Sequence, residues 1–248
     1  MHFIRYINEE LESVSLEEMD AVRLMDRVDT KFICSLSELA TLFEMTERFY
    51  RVLAINDKRV LKYMTKYFDT DSFAMYFAHQ NGKLNRHKIR ERIYIETGTT
   101  FLEVKFKNNK NRTIKSRIPR VMDGDSLNES EKEFLAEYSP FKAEELRLTL
   151  WNQFNRITLV SDQERITIDF DLGFSKGDDQ YMSLPPFAIL EVKQNVSSPD
   201  TPIMKILNEL DITPIGVSKY CMGVASVYPN IKANRIKPVF MKIELMNQ

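Results

Sequence analysis

The sequence predicts an α+β protein built on an antiparallel β-sheet that is closed or nearly closed, with helices at the chain ends and between groups of strands. Three observations predict it. Segments that alternate apolar and polar residues succeed one another along most of the 248 residues. The turns between them are short and polar. Helix-start signals are few and fall between strand groups.

Ser15 with Glu18 is a capping box that opens a short N-terminal helix, since each side chain can accept from the other residue's backbone N–H. Leu24 to Cys34 then reads as a strand. Ser35 with Glu38 is a second capping box, ahead of Leu39, Leu42 and Phe43 on one helical face. Strands are expected over Phe49 to Ile55, Val60 to Asp69, Met75 to Gln80, Leu84 to Glu96, Thr100 to Lys107 and Thr113 to Ile118. Asn81-Gly82 fits a two-residue hairpin, because both residues tolerate positive φ. Asn108 to Asn111 is a second polar turn, and Asp57-Lys58 a weaker third. A helix from Asn128 or Ser130 carries Phe134 and Leu135. Strands over Leu146 to Val160, Arg165 to Phe174 and Ala188 to Gln194 follow. After Pro202, Ile203, Ile206, Leu207 and Leu210 stand at helical spacing. A last helix runs from Ser218 through Val224 and Val227.

The 35 Lys and Arg nearly cancel the 36 Asp and Glu, which argues against holding nucleic acid by bulk positive charge. Cys34 and Cys221 are too few for a disulfide framework, fit a reducing compartment and read as packing residues. No run of eighteen apolar residues and no signal-peptide pattern in Met1 to Glu12 is present, so a cytoplasmic location is expected. There is no glycine-rich phosphate loop, and His2, His79 and His87 show no ligand spacing.

The balanced total conceals a segregation. From Lys83 to Arg120 stand twelve basic residues and only three acids, Glu91, Glu96 and Glu103. Residues two apart on a strand share a face. Lys88, Arg90, Arg92, Tyr94 and Glu96 therefore oppose Ile89, Ile93 and Ile95, with Glu91 the exception. Glu103, Lys105 and Lys107 oppose Leu102, Val104 and Phe106; Lys115 and Arg117 oppose Ile114 and Ile118. Arg165, Thr167, Asp169 and Asp171 oppose Ile166, Ile168, Phe170 and Leu172, while Glu191 and Lys193 oppose Leu190 and Val192. A sheet with one face in water alternates in the same way. Two features favour an enclosed cationic face instead. Arginine, whose planar fork suits bidentate phosphate contacts, equals or outnumbers lysine at several aligned positions, and the acids stand singly. A cationic lumen is costly unless a polyanion and a metal ion occupy it. Phosphoryl transfer on a polyphosphate needs that combination.

The ordered set Arg27-x-Asp29-x-Lys31-Phe32, Tyr67-Phe68-Asp69-Thr70, Lys88-x-Arg90-x-Arg92-x-Tyr94, Glu103-x-Lys105, Arg165-x-Thr167-x-Asp169, Glu191-x-Lys193 and Ser218-Lys219-Tyr220 resembles the VTC domain. This is the polyphosphate polymerase domain of the vacuolar transporter chaperone and its bacterial relatives, within the triphosphate tunnel metalloenzymes, or CYTH-like superfamily. The resemblance runs from about Leu24 to Val224, so a single VTC-like domain over 1–248 is expected, with its core at about 24–224. It implies an eight-stranded antiparallel β-barrel tunnel with flanking helices. It also implies a polymerase that passes the terminal phosphate of ATP to a growing inorganic polyphosphate chain.

By position in that family, Lys31, Arg90, Arg92, Lys105, Lys115, Arg156 and Arg165 would grip phosphate. Lys219 would close one side from the C-terminal helix, and Glu191 would bind Mn²⁺ or Mg²⁺. Lys31, Arg90, Arg92, Lys105 and Glu191 form the catalytic part of this set; Lys88, Arg117 and Lys193 extend its phosphate-binding part. Asp169 and Asp171 are either second metal ligands or partners that orient arginine. Many tunnel triphosphatases carry Glu-x-Glu-x-Lys where this chain has Arg27 and Asp29, and fewer carboxylates suit the polymerase branch better than the hydrolases. ATP and polyphosphate are the expected partners, nucleic acid is not, and coupling to a membrane would need a separate protein. The alternatives are hydrolysis of triphosphates in the same tunnel, or a non-catalytic module for polyphosphate, nucleotide or RNA. Tyr63, Tyr67, Tyr94 and Phe106 read as barrel core and rim.

Overall fold

A single sheet organises the chain in a computed structural model that describes residues 2–21, 28–110, 112–121, 126–177, 181–194 and 198–248. In chain order the elements are α1 (His2–Glu9), β1 (Ser13–Val14), α2 (Leu16–Ala21), β2 (Val28–Cys34), α3 (Leu36–Thr46), β3 (Arg51–Leu53) and β4 (Leu61–Thr70). Then come α4 (Ala74–Gln80), β5 (Arg86–Tyr94), β6 (Thr99–Lys107), β7 (Thr113–Pro119), α5 (Glu129–Tyr138) and, after a 3-10 turn, β8 (Leu146–Val160). The rest is β9 (Glu164–Ser175), β10 (Met182–Ser183), β11 (Ala188–Gln194), α6 (Pro202–Glu209), α7 (Lys219–Val227) and α8 (Lys237–Leu245).

Eight strands pair antiparallel in the order β2-β11-β9-β8-β4-β5-β6-β7, with β1, β3 and β10 as short additions. The sheet is strongly curled. Four strands separate β11 from β6, and in a flat sheet at about 4.8 Å per strand their residues would lie about 24 Å apart. Yet the charges of Glu191 on β11 and Lys105 on β6 act on one another, and Lys31 on β2 acts on Lys107 on β6. Only a sheet whose two ends turn towards each other allows that.

Both faces of the curl are covered, but differently. Outside, α1, α3 and α6 bury Phe3, Ile7, Leu39, Leu42, Phe43, Ile203, Ile206 and Leu207 against Ile166, Ile168, Phe170, Leu190 and Val192. At about 1.5–3 kcal/mol per fully buried large apolar side chain, this layer is a major stabilising term. Farther along, α5 lays Phe134 and Leu135 on Ile89, Leu102 and Val104. Inside, α7 and α8 plug part of the concave face with Tyr220, Met222, Val224, Val239 and Ile243. The capping boxes at Ser15/Glu18, Ser35/Glu38 and Asn128/Glu131 all form. No helix among the described residues is long and apolar enough to cross a membrane.

Three expectations are corrected. Met75 to Gln80 is not a strand but most of α4, and Asn81-Gly82 is its C-terminal cap, with Gly82 at φ 68°, rather than a hairpin. The cause is tertiary: the buried Asp69 carboxylate accepts from the backbone N–H groups of Met75 and Tyr76, as an N-cap side chain would. Second, Asp171 adopts φ 53°, and the chain switches faces there. Phe170 packs outside while Leu172 and Phe174 pack inside. Asp171 is thus exposed and accepts from Asn155 at 3.0 Å, away from the Asp169 row. Third, Ile114 lies on edge strand β7 and is exposed. Glu91, the exception on an apolar face, is buried 3.8 Å from Lys66 and 3.3 Å from Arg120, which also faces Glu131. Leu24 to Arg27, with the Arg27 substitution, lie outside the described residues.

Candidate active site

The strand register sets the inward side chains in rows. Tyr67, Arg90, Glu103 and Arg117 stand side by side across β4, β5, β6 and β7. The next row is Lys88, Lys105 and Lys115, and the row on the other side is Thr65, Arg92 and Phe101. On the facing wall, Lys31, Glu191 and Thr167 form one row, Asp29, Lys193 and Arg165 another, and Asp169 lies beside Arg156. The alternation that keeps hydrocarbon outside thereby turns a cationic face inward.

Three inward carboxylates each bridge two cations. Glu103 is fully buried, bonded by Arg90 at 2.6 and 2.8 Å and by Lys115. Burial opposes its charge, yet Arg90, then Lys115, hold it well below the usual carboxylate range. Asp169 takes a two-pronged contact from Arg156, at 2.5 and 2.7 Å, and the Lys219 ammonium from α7. Burial again opposes the charge, and Arg156 and Lys219 keep it ionised. Glu191 meets Lys31 at 2.7 Å and Lys193 at 3.2 Å, one on each oxygen. Its own burial is outweighed by Lys193 and Lys31.

Other cations have no such counter-ion among the described residues. Arg92 is 5% exposed, and among the described residues its guanidinium has no ion-pair partner and its Nε no hydrogen bond. Its neighbours are the ring faces of Tyr63 and Phe154, at 5.5 and 5.6 Å. Burial, then Arg90 and Arg156, push it down to about 10. Arg156 and Lys219 share the same two rings' neighbourhood, Arg156 at 4.9 Å from Tyr63 and Lys219 at 4.6 Å from Phe154. Lys105 is pushed well below its ordinary 10.5, first by Arg90 and then by burial. Lys88 reaches Ser218 Oγ at 2.9 Å and is lowered by burial. Cation–π contacts of about 0.5–2 kcal/mol do not repay the burial of so much like charge. An anion entering here replaces solvent as the shared counter-ion.

The sequence-derived set is thus brought together on one concave face, with differences of detail. Lys193 also donates to Thr167 at 3.1 Å, Arg165 reaches the Met19 carbonyl at 3.0 Å, and Arg117 lies exposed over Phe101 at 4.5 Å. Glu103 and the Tyr63/Phe154 rings were missed as site components. Glu103 shares the Lys105 face, so its place was readable, but its bridging role depends on β7 lying alongside. Asp69, also missed, accepts from the Tyr220 phenol at 2.5 Å and so anchors the start of α7 beside Lys219.

A curled antiparallel sheet that encloses a cationic face defines the triphosphate-tunnel, or CYTH-like, fold. Residues 26–228 match the VTC domain, and the chain belongs to that family. Its fold is similar to that of an adenylate-cyclase candidate of Bacillus halodurans, at 12% identity over 78% of this chain and 96% of that one, with a TM-score of 0.51. An adenylyl-cyclase candidate of Hippeastrum with a dominant triphosphatase activity aligns at 11% identity over 83% of this chain and 98% of its own, with a TM-score of 0.48. No curated protein matches the chain by sequence.

Proposed function

We propose that the chain is a metal-dependent phosphotransferase that lengthens inorganic polyphosphate with the terminal phosphate of ATP. The observation that carries this is the buried Arg92 guanidinium, which has no ion-pair partner among the described residues and lies where Arg90, Arg156 and Lys105 crowd their charges together. Such a site is costly when empty and suits a ligand with several adjacent negative charges. Membership of the VTC family supports the same substrate class.

The chemistry moves one phosphoryl group. A terminal oxygen of the polyphosphate forms a bond to the γ-phosphorus, the bond to the bridging oxygen of ADP breaks, and the electron pair leaves with ADP. The attacking oxyanion is already deprotonated, so no general base is needed. Arg90, Arg92 and Arg156 offset charge on the transferred group; the Arg90 and Arg156 forks are engaged by Glu103 and Asp169, so the planar fork of Arg92 is the one that fixes its orientation. Lys31, Lys193 and Lys115 are flexible point charges that can swing from carboxylate to phosphate oxygen.

The carboxylates differ in fitness for a metal. Asp169 is saturated by the Arg156 fork and Lys219. Among the described residues Glu191 is paired with two lysines, and it retains 22% side-chain exposure, so it is the residue that would hold Mn²⁺ or Mg²⁺. Among the described residues no three potential ligands cluster, so phosphate oxygens and water would complete the shell. When bound, the ion would supply Lewis-acid neutralisation of phosphate oxygens.

Incubation with ATP, Mn²⁺ and a short polyphosphate primer, followed by gel analysis, tests the reading. Phosphate polymers that lengthen with time are expected. Release of orthophosphate without chain growth would assign hydrolysis in the same lumen, and binding without turnover a non-catalytic module.

A further inference from the structure

We propose that the lumen continues, at the end where β5 begins, into a second anion subsite built from Arg86, Lys107 and Arg235, which takes inorganic polyphosphate beyond the phosphates held by Arg90 and Arg92. The inference rests on the polyphosphate reading of the lumen and gives it a direction.

Arg86 and Lys107 are direct partners at the ends of β5 and β6, on the same face as Lys88 and Lys105. Arg235, between α7 and α8, lays its guanidinium over Gly82, where a methyl group would collide with Nη1. Among the described residues, none of the three has a carboxylate partner. Arg86 donates to the Lys83 carbonyl, at 2.9 Å. The groups are close enough to oppose one another's charge: Arg235 acts on Arg86, and Arg86, Lys31, Lys88 and Arg235 act on Lys107. This contrasts with the middle of the lumen, where Glu103, Asp169 and Glu191 each stand between two cations.

His79, near the end of α4, faces the same cluster. Its Nδ1 is buried and has no hydrogen-bond partner among the described residues. Burial, then Lys88 and Arg86 from β5, Arg235 from the segment before α8, and Lys107 from β6, push the imidazole down to about 3. A polyanion lying among these cations reverses that balance. It supplies an acceptor for a protonated His79 and turns the ring into a further donor.

Distance separates this subsite from the catalytic one. Arg86 and Arg92 are six residues apart on one strand, about 20 Å at ~3.3 Å per residue. Three linked phosphates do not reach both ends; a longer chain does. The subsite therefore discriminates by chain length.

The test is calorimetric titration of the metal-free protein with tripolyphosphate and with a long-chain inorganic polyphosphate. Wild type is compared with Arg86→Ala, Lys107→Ala and Arg235→Ala. Each variant is expected to lose about tenfold in long-chain affinity, the worth of one charge-assisted contact, with tripolyphosphate binding unchanged. The His79 ring resonances should titrate at higher pH only when the long chain is bound. Unchanged long-chain affinity in all three variants would overturn the subsite and leave the lumen reading standing. Equal losses for both ligands would also overturn it, because the three cations would then act as a general field. If wild type binds neither anion, the lumen reading itself fails.

Discussion

Arg92 shows most plainly what single side chains contribute to this protein. A guanidinium buried against Tyr63 and Phe154, with no counter-ion among the described residues, lowers stability and suits a site whose ligand brings the opposite charge. Arg92→Met should therefore raise the unfolding free energy, by about 1–4 kcal/mol, the range seen when buried charge is exchanged for hydrocarbon. It should also abolish polyphosphate synthesis. Urea denaturation and the gel assay measure the two effects, and a destabilised variant would contradict the strained-cation reading. Glu191→Gln should act oppositely on stability, since Lys31 and Lys193 lose their shared counter-ion, and should stop turnover as well. Among these residues, the arginines were legible because strand alternation alone places Arg90 and Arg92 together on the polar face. The counter-ion pattern was not. Which of the two arginines meets an acid depends on the strand that lies alongside, and β6 delivers Glu103 beside Arg90 but Phe101 beside Arg92.

At the scale of elements, the start of α7 joins the walls of the lumen. Ser218 receives Lys88 from β5, Lys219 reaches Asp169 on β9, and Tyr220 donates to Asp69 on β4. Three consecutive positions thus contact three strands, and this requires the helix to sit close to the sheet. Gly223 permits that approach: a Cβ there would overlap Leu150 and Phe174. Gly223→Ala should cost about 1–3 kcal/mol by overpacking. It should also slow turnover by displacing Lys219, although Gly223 itself faces hydrocarbon. Equal stability and activity in the variant would show that α7 tolerates a wider spacing. This helix was legible from Ser218 and the apolar residues after it, as were most strands, because their periodicities are strong. By contrast, α4 was not. Ala74 to Gln80 carries no side-chain cap of its own, and the carboxylate that starts it, Asp69, belongs to the preceding strand. A capping contact from outside the segment leaves no local pattern in the sequence.

For the whole molecule, crowded cations link stability, pH and ligand. Burial lowers Lys115 to about 8 despite Glu103, and Lys88, Lys193 and Lys219 also lie below their ordinary 10.5. Lys105 is lowered further still, chiefly by Arg90. The unfolded chain holds these protons up to about pH 10.5, whereas the folded chain releases the Lys115 proton near 8. Between these values the unfolded state binds more protons, so stability should rise with pH from about 8 upward. Near pH 10 the trend should weaken, because buried phenols such as Tyr63 and Tyr76 are raised and resist the ionisation that the unfolded chain allows. A bound polyanion reverses the first effect. It restores the lysine pKa values, so binding takes up protons, and the thermal stabilisation given by tripolyphosphate should be large at pH 7 and shrink through pH 8 to 9. Thermal unfolding across that range, with and without the anion, reads both curves. A ligand-induced shift independent of pH would mean that the lumen lysines keep their protons when empty, and that the curled sheet does not crowd its cations as described.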